Sequence, residues 1–114
     1  MKFSEVNLDD EFIESESKSS CSFCLKNLYG DNDNYREFFE DYKLEQLQSK
    51  LVRVAYVKNI IVKDLSDHFE QPTDYLFHCT RYVYVINEDS EVEHLATYIL
   101  VLDENMNIVD DYLF

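Results

Sequence analysis

YLFHCTRYVYVINEDSEVEHLATYILVLDENMNIVDDYL, residues 75–113, is the stretch whose reading decides the fold of this 114-residue chain. It divides into three runs rich in β-branched and aromatic residues, Tyr75–Ile86, Glu93–Leu102 and Met106–Leu113, the composition of strands. The separators Asn87-Glu88-Asp89-Ser90 and Asp103-Glu104-Asn105 are polar turn chemistry of hairpin length. Alternation assigns Leu76, His78, Thr80, Tyr82 and Tyr84 to one face of the first run. Tyr75, Phe77, Cys79, Val83 and Val85 fall on the other. Three strands joined by short turns form an antiparallel meander.

Working outward, Leu51–Lys63 (LVRVAYVKNIIVK) fits two periods. Leu47, Leu51, Val54, Val57 or Lys58, and Ile61 make a helical stripe, but the density of Val and Ile decides for a fourth strand. Asp64–Asp74 reads as a short helical turn and loop closed by Pro72. Further upstream the period is helical. Cys21, Cys24, Leu25 and Leu28 fall at i, i+3, i+4 and i+7, with Ser17, Ser19 or Ser20 as caps and Gly30 at the C′ position. A weaker helical turn precedes this around Leu8–Ile13. Asp31 or Asp33 caps a second, amphipathic helix carrying Tyr35, Phe38, Phe39, Tyr42, Leu47 and Leu51 and running to about Lys50. The expected fold is one α+β domain over 1–114, with N-terminal helices packed on one face of an antiparallel meander of about four strands. Within it, 17–50 is helical and 51–114 mainly β; 1–16 is an acidic segment whose flexibility is left open.

Composition narrows the function. Hydrophobic residues make up 46% and aromatics 15%, enough for a core. Gly30 and Pro72 are alone of their kinds, which excludes a Gly-rich phosphate loop. The N-terminus is acidic and no window reaches the ~18–20 apolar residues of a membrane span. A cytoplasmic protein is expected, in the host cytoplasm if the source is viral. Three cysteines, an odd number, point to reduced thiols rather than a disulfide framework.

No motif names a reaction. Cys21-Ser-Phe-Cys24 with His78-Cys79 has the residue types of a zinc site, but strand neighbours point to opposite faces, and the cysteines complete a helical apolar stripe. Buried thiols and no metal site are the expectation. Asp9-Asp10 and Asp110-Asp111 are paired acids of the kind that hold Mg²⁺ or Ca²⁺, yet GDNDNYREFFED lacks the central Gly of a calcium loop. His68, His78 and His94 sit in no catalytic signature. The chain therefore reads as a non-enzyme, with no catalytic residue and no cofactor. Tyr82, Tyr84 and Tyr98 would stack on nucleic acid only beside a basic groove, so direct nucleic-acid binding is not expected. Lys50, Arg53, Lys58 and Lys63 form the one basic patch, read as a solvated strand face.

Charge is the strongest signal. The chain has 24 Asp+Glu against 10 Lys+Arg, a formal net charge of −14. From Asp64 onward there is a single basic residue, Arg81. Acidity aids solubility, but these acids crowd at turn tips and strand ends. Glu88, Asp89, Glu91, Glu93, Asp103, Glu104, Asp110 and Asp111 are the candidate partner-binding residues. Carboxylates displayed on a rigid sheet imitate phosphates and attract the Arg/Lys groove that normally neutralises them.

In size, charge and lack of motifs the chain resembles the DNA-mimic and anti-CRISPR proteins of phages, a likeness of type that no shared motif carries. It implies a small acidic inhibitor that blocks a basic, nucleic-acid-binding surface of a larger protein. An immunity protein or antitoxin against a basic nuclease toxin is the alternative. The order of helices and then a meander ending in Asn107-Ile-Val-Asp-Asp-Tyr-Leu-Phe114 is also loosely similar to the NTF2-like pattern. That resemblance implies a small-ligand or dimerisation module with His78, Tyr82 and Tyr98 lining a pocket. The sheet face that the helices leave open admits a homodimer.

Overall fold

The computed structural model describes residues 10–60 and 73–114, with side chains described outside 58–60 and 73–74. Helix α1 (Asp10–Tyr29) and helix α2 (Asn32–Phe39) lead, through a 3₁₀ turn at Leu44–Gln46, into four strands. These are β1 (Gln48–Ile60), β2 (Thr73–Ile86), β3 (Val92–Leu102) and β4 (Ile108–Leu113), hydrogen-bonded in the order β1-β2-β3-β4. Every pairing is antiparallel. Both helices pack on one face of this sheet, which is the α+β meander the strand spacing implied.

The helical zone departs from the sequence reading in two ways. α1 is one helix of 20 residues that takes in the serines read as caps and, of the separate turn read around Leu8–Ile13, residues 10–13; Leu8 and Asp9 lie outside the described residues. Its buried residues Ile13, Ser17, Cys21 and Leu25 recur every four positions, so Ser17 lies inside the helix, its hydroxyl donating to the Glu14 carbonyl at 3.2 Å. Residues 10–16 are thus helical, and Gly30 follows the helix without a left-handed φ. Of the turn and loop read at Asp64–Asp74, residues 64–72 lie outside the described residues, as do 61–63, whereas Thr73 and Asp74 belong to β2 and not to a loop.

The second departure concerns the helix expected to reach about Lys50. It stops at Phe39, because Glu40 adopts φ 52°, ψ −124°. That is the first corner of a type II′ turn, closed by Tyr42 N–H on the Phe39 carbonyl at 3.0 Å. The Tyr35 hydroxyl donates to the Tyr42 carbonyl at 2.7 Å and pins the departing chain against α2. Leu44 then reaches the core from the 3₁₀ turn, and Leu47 and Leu51 from extended backbone, rather than from one helical stripe.

The core lies between the helices and the inner sheet face. Phe39, Phe77, Cys79, Val83, Tyr98, Leu100 and Leu102 are fully buried in it. Register shifts at Leu51/Arg53, Val83/Tyr84 and Val101/Leu102 mark three bulges, which bend the strands and add twist. The first places two residues, Val52 and Arg53, against Thr80 alone, and the register gives Arg53 to the face away from the helices.

Candidate functional site

The carboxylates singled out above occupy three places. Glu88, Asp89 and Glu91 are exposed in the β2–β3 turn, with Glu93 just after it. Asp103 and Glu104 form the β3–β4 turn at the opposite end, and Asp110 and Asp111 lie on β4. The structure therefore brings the eight together as two acidic tips joined by an acidic edge, not as one patch. β3 separates the tips by ten residue steps, or about 33 Å at strand rise.

Each tip is rigidified by its own side chains. The Asn87 side-chain amide oxygen, Oδ1, accepts from the backbone N–H groups of Asp89 and Glu91, each at 3.0 Å. Ser90 takes φ 61° to complete the turn. At the other tip one Asp103 oxygen accepts from the N–H groups of Asn105 (2.8 Å) and Asn107 (2.9 Å). The Asn107 bond, above all, holds the Asp103 carboxyl below its ordinary pKa.

Several acids are also bound by tyrosines. Tyr42 donates to Glu93 at 3.0 Å, Tyr98 to Asp111 at 2.9 Å and Tyr112 to Asp110 at 2.9 Å. The carboxylate bonds push the Tyr42 and Tyr112 phenols above their usual range, whereas for Tyr98 burial is the larger cause. Asp110 and Asp111 point to opposite faces, so this pair does not chelate a cation. The Tyr42–Glu93 bond walls an acidic depression of about 450 Å³ with Gln46, Ile86, Asn87, Glu88 and Asp89. Three carboxylates line this concavity.

Arg81, the lone cation of β2–β4, does not offset this charge at the surface. It is 1% exposed. Its guanidinium grips both Glu14 oxygens (3.0 and 3.2 Å), the Ser17 hydroxyl (3.0 Å), and the Ser49 hydroxyl and carbonyl (3.0 and 3.2 Å). One side chain thereby ties α1, β1 and β2 together. Sequence reasoning passed over this cluster, although two signals were present. Arg81 is in phase with Phe77, Cys79, Val83 and Val85, and Ser17 is in phase with Ile13, Cys21 and Leu25.

The remaining candidates separate. Cys21 and Cys79 are buried free thiols pushed up to about 11, mainly by burial. His78 points to the opposite face from Cys79, and no group of three or more metal-ligating side chains gathers among the described residues. His78 and Tyr82 lie on the outer sheet face while Tyr98 is buried on the inner one, so these three line no common pocket. A groove of about 600 Å³ runs between α1 and β4, lined by Phe23, Tyr98, Ile108, Val109 and Asp111 among others. No described helix is long and apolar enough to cross a membrane.

The site and fold define an α+β protein whose C-terminal meander displays carboxylates at both ends. No known family model, curated protein or solved structure matches the chain.

Proposed function

We propose that the protein is a small acidic inhibitor that occupies a basic, nucleic-acid-binding surface of a larger protein. One observation carries this reading. From Thr73 to Phe114 the chain holds nine carboxylates and one cation, and that cation is sealed beneath α1 by Glu14. A field of one sign on a rigid sheet attracts a basic groove over a long range and speeds its capture.

Geometry adds two supports. The tips stand about 33 Å apart by strand rise, close to one turn of duplex DNA at ~34 Å. The depression beside Tyr42 and Glu93 offers a seat for one Lys or Arg from the partner. Binding, not catalysis, is the act proposed. A nuclease toxin neutralised by an immunity protein would meet the same surface, and the identity of the captured partner separates the two.

The experiment immobilises the protein, passes host lysate at low salt, elutes with a salt gradient and identifies the eluate by mass spectrometry. A triple variant, Glu88→Lys, Asp89→Lys and Glu91→Lys, runs in parallel. A nucleic-acid-binding protein that leaves at moderate salt, is displaced by duplex DNA or RNA and ignores the variant is the expected catch. If nothing basic is retained, or the catch survives high salt and ignores nucleic acid, the proposal fails.

A further inference from the structure

The helices cover one face of the sheet, and no described element covers the other. Register places Gln48, Lys50, Arg53, Ala55 and Val57 of β1 on this outer face. They stand beside Leu76, His78, Thr80, Tyr82, Tyr84 and Ile86 of β2, then Thr97, Ile99 and Val101 of β3, the last of these already buried at 3% exposure, and Asp110 and Tyr112 of β4. Much of the molecule's exposed apolar surface is here. Val57 is 38% exposed, Tyr82 44%, Ile86 54%, Val92 69%, Tyr112 51% and Phe114 63%. Tyr82 also stacks on His94, ring centroids 4.4 Å apart, so the aromatic part of the face is built and not merely scattered.

Charge is ordered across this face. Among the residues of this face whose side chains are described, the cations Lys50 and Arg53 stand on β1 at one edge, and the carboxylate Asp110 stands on β4 at the other. In a chain of net charge −14, this is the surface on which a like-charged copy meets least repulsion.

We infer that the outer face is the interface of a two-fold homodimer in which two sheets stack face to face. The order of charge selects the symmetry axis. A two-fold perpendicular to the strands within the interface plane would lay β1 on β1 and oppose like charges. A two-fold parallel to the strands lays β1 of each copy on β4 of the other. Arg53 then faces Tyr112 of the second copy, because Arg53, Thr80, Ile99 and Tyr112 share one cross-strand row. Asp110 of that copy lies one row away, within reach of an arginine across the ~10 Å between stacked sheets. The contact is isologous, so each Arg53–Asp110 pairing occurs twice.

The size of the face suits this occupant. Four strands at ~4.8 Å spacing and six rows at about 6.7 Å give at most roughly 770 Å² in projection. Side-chain relief brings this near the ~800 Å² per partner of a standard interface. The acidic turns at both tips stay outside the contact, so the dimer is bivalent for whatever the tips bind.

The test is the mass in solution by sedimentation equilibrium over roughly 1–200 μM, with wild type, Arg53→Asp, Asp110→Arg, the double swap and Ile99→Asp. Circular dichroism and thermal melts check that each variant is folded. Wild type is expected at twice the 13.7 kDa of the chain. Each single reversal raises the dissociation constant by about tenfold or more, as like charges meet twice. The double swap recovers most of that loss, and Ile99→Asp at the centre abolishes the dimer while leaving a folded monomer. A wild type that stays monomeric throughout overturns the inference. So does a dimer indifferent to Ile99→Asp, or one in which the double swap is no better than the two singles combined.

Discussion

The guanidinium of Arg81 meets both carboxylate oxygens of Glu14, a residue 67 positions earlier, at 3.0 and 3.2 Å. Arg81 is fully buried while the Glu14 side chain remains about half exposed, at 1% and 49%. Removing the acid therefore strands a charge that water cannot reach, and removing the base frees an acid that water can. Glu14→Ala is expected to lower stability by ~3 kcal/mol, toward the cost of orphaning a buried partner. Exchanging both for apolar residues, Glu14→Leu with Arg81→Met, recovers most of it. Urea unfolding of the single and double variants checks both expectations.

Glu40 occupies a backbone conformation that favours glycine, at φ 52°, ψ −124°. Such strain costs on the order of 1–3 kcal/mol. The side chain is exposed, so Glu40→Gly relieves the strain without opening a cavity. A gain of about 1 kcal/mol, read as a raised urea midpoint, is expected. A loss would mean that the turn is not held as described.

Alkaline pH acts through the inner face. Cys21 and Cys79 are held at about 11 by burial, above the ordinary thiol value of 9.0, and burial raises Tyr98 as well. Below pH 9 these groups are protonated in folded and unfolded chains alike. Above it the unfolded chain sheds protons that the folded one keeps, so stability falls as pH rises from 9 toward 11. Thermal melts should decline across that window, less steeply in Cys79→Ala. Thiol labelling at pH 8 followed by mass spectrometry should leave Cys21 and Cys79 unmodified until the chain is denatured.

The β2–β3 tip is separable from the fold. Glu88, Asp89 and Glu91 are exposed, and their substitution by Lys should change stability by less than about 0.5 kcal/mol. Asn87→Ala is different, because it orphans two backbone donors held at 3.0 Å. It should cost about 1 kcal/mol and loosen the tip while leaving every carboxylate in place. Comparing the two variants in the pull-down distinguishes charge from its placement.

The strands were legible because their boundaries are chemical. Asn87 to Ser90 and Asp103 to Asn105 form the turns their composition implied, and β2 alternates as Phe77, Cys79 and Val83 required. The end of α2 was not legible, since a II′ corner is ordinarily announced by glycine and here holds glutamate. The continued spacing of Leu47 and Leu51 was satisfied by a strand instead. The acids were legible as turn-tip and strand-end residues but their separation was not, because the two turns are close in sequence yet stand at opposite ends of β3. Arg81 was hidden by type, as a charged residue is expected in water until its partners are seen.

Each strand of this sheet pairs with its neighbour in the chain, and that arrangement has a kinetic consequence. The β2–β3 and β3–β4 hairpins each close over five residues and can zip early, with little loop entropy to overcome. The clasp between Glu14 and Arg81 must wait for a loop of 67 residues to close, which places it late on the route to the native state. Weakening it should then leave the refolding rate nearly unchanged and quicken unfolding. The lifetime of the folded protein, more than the speed of its assembly, rests on that one arginine.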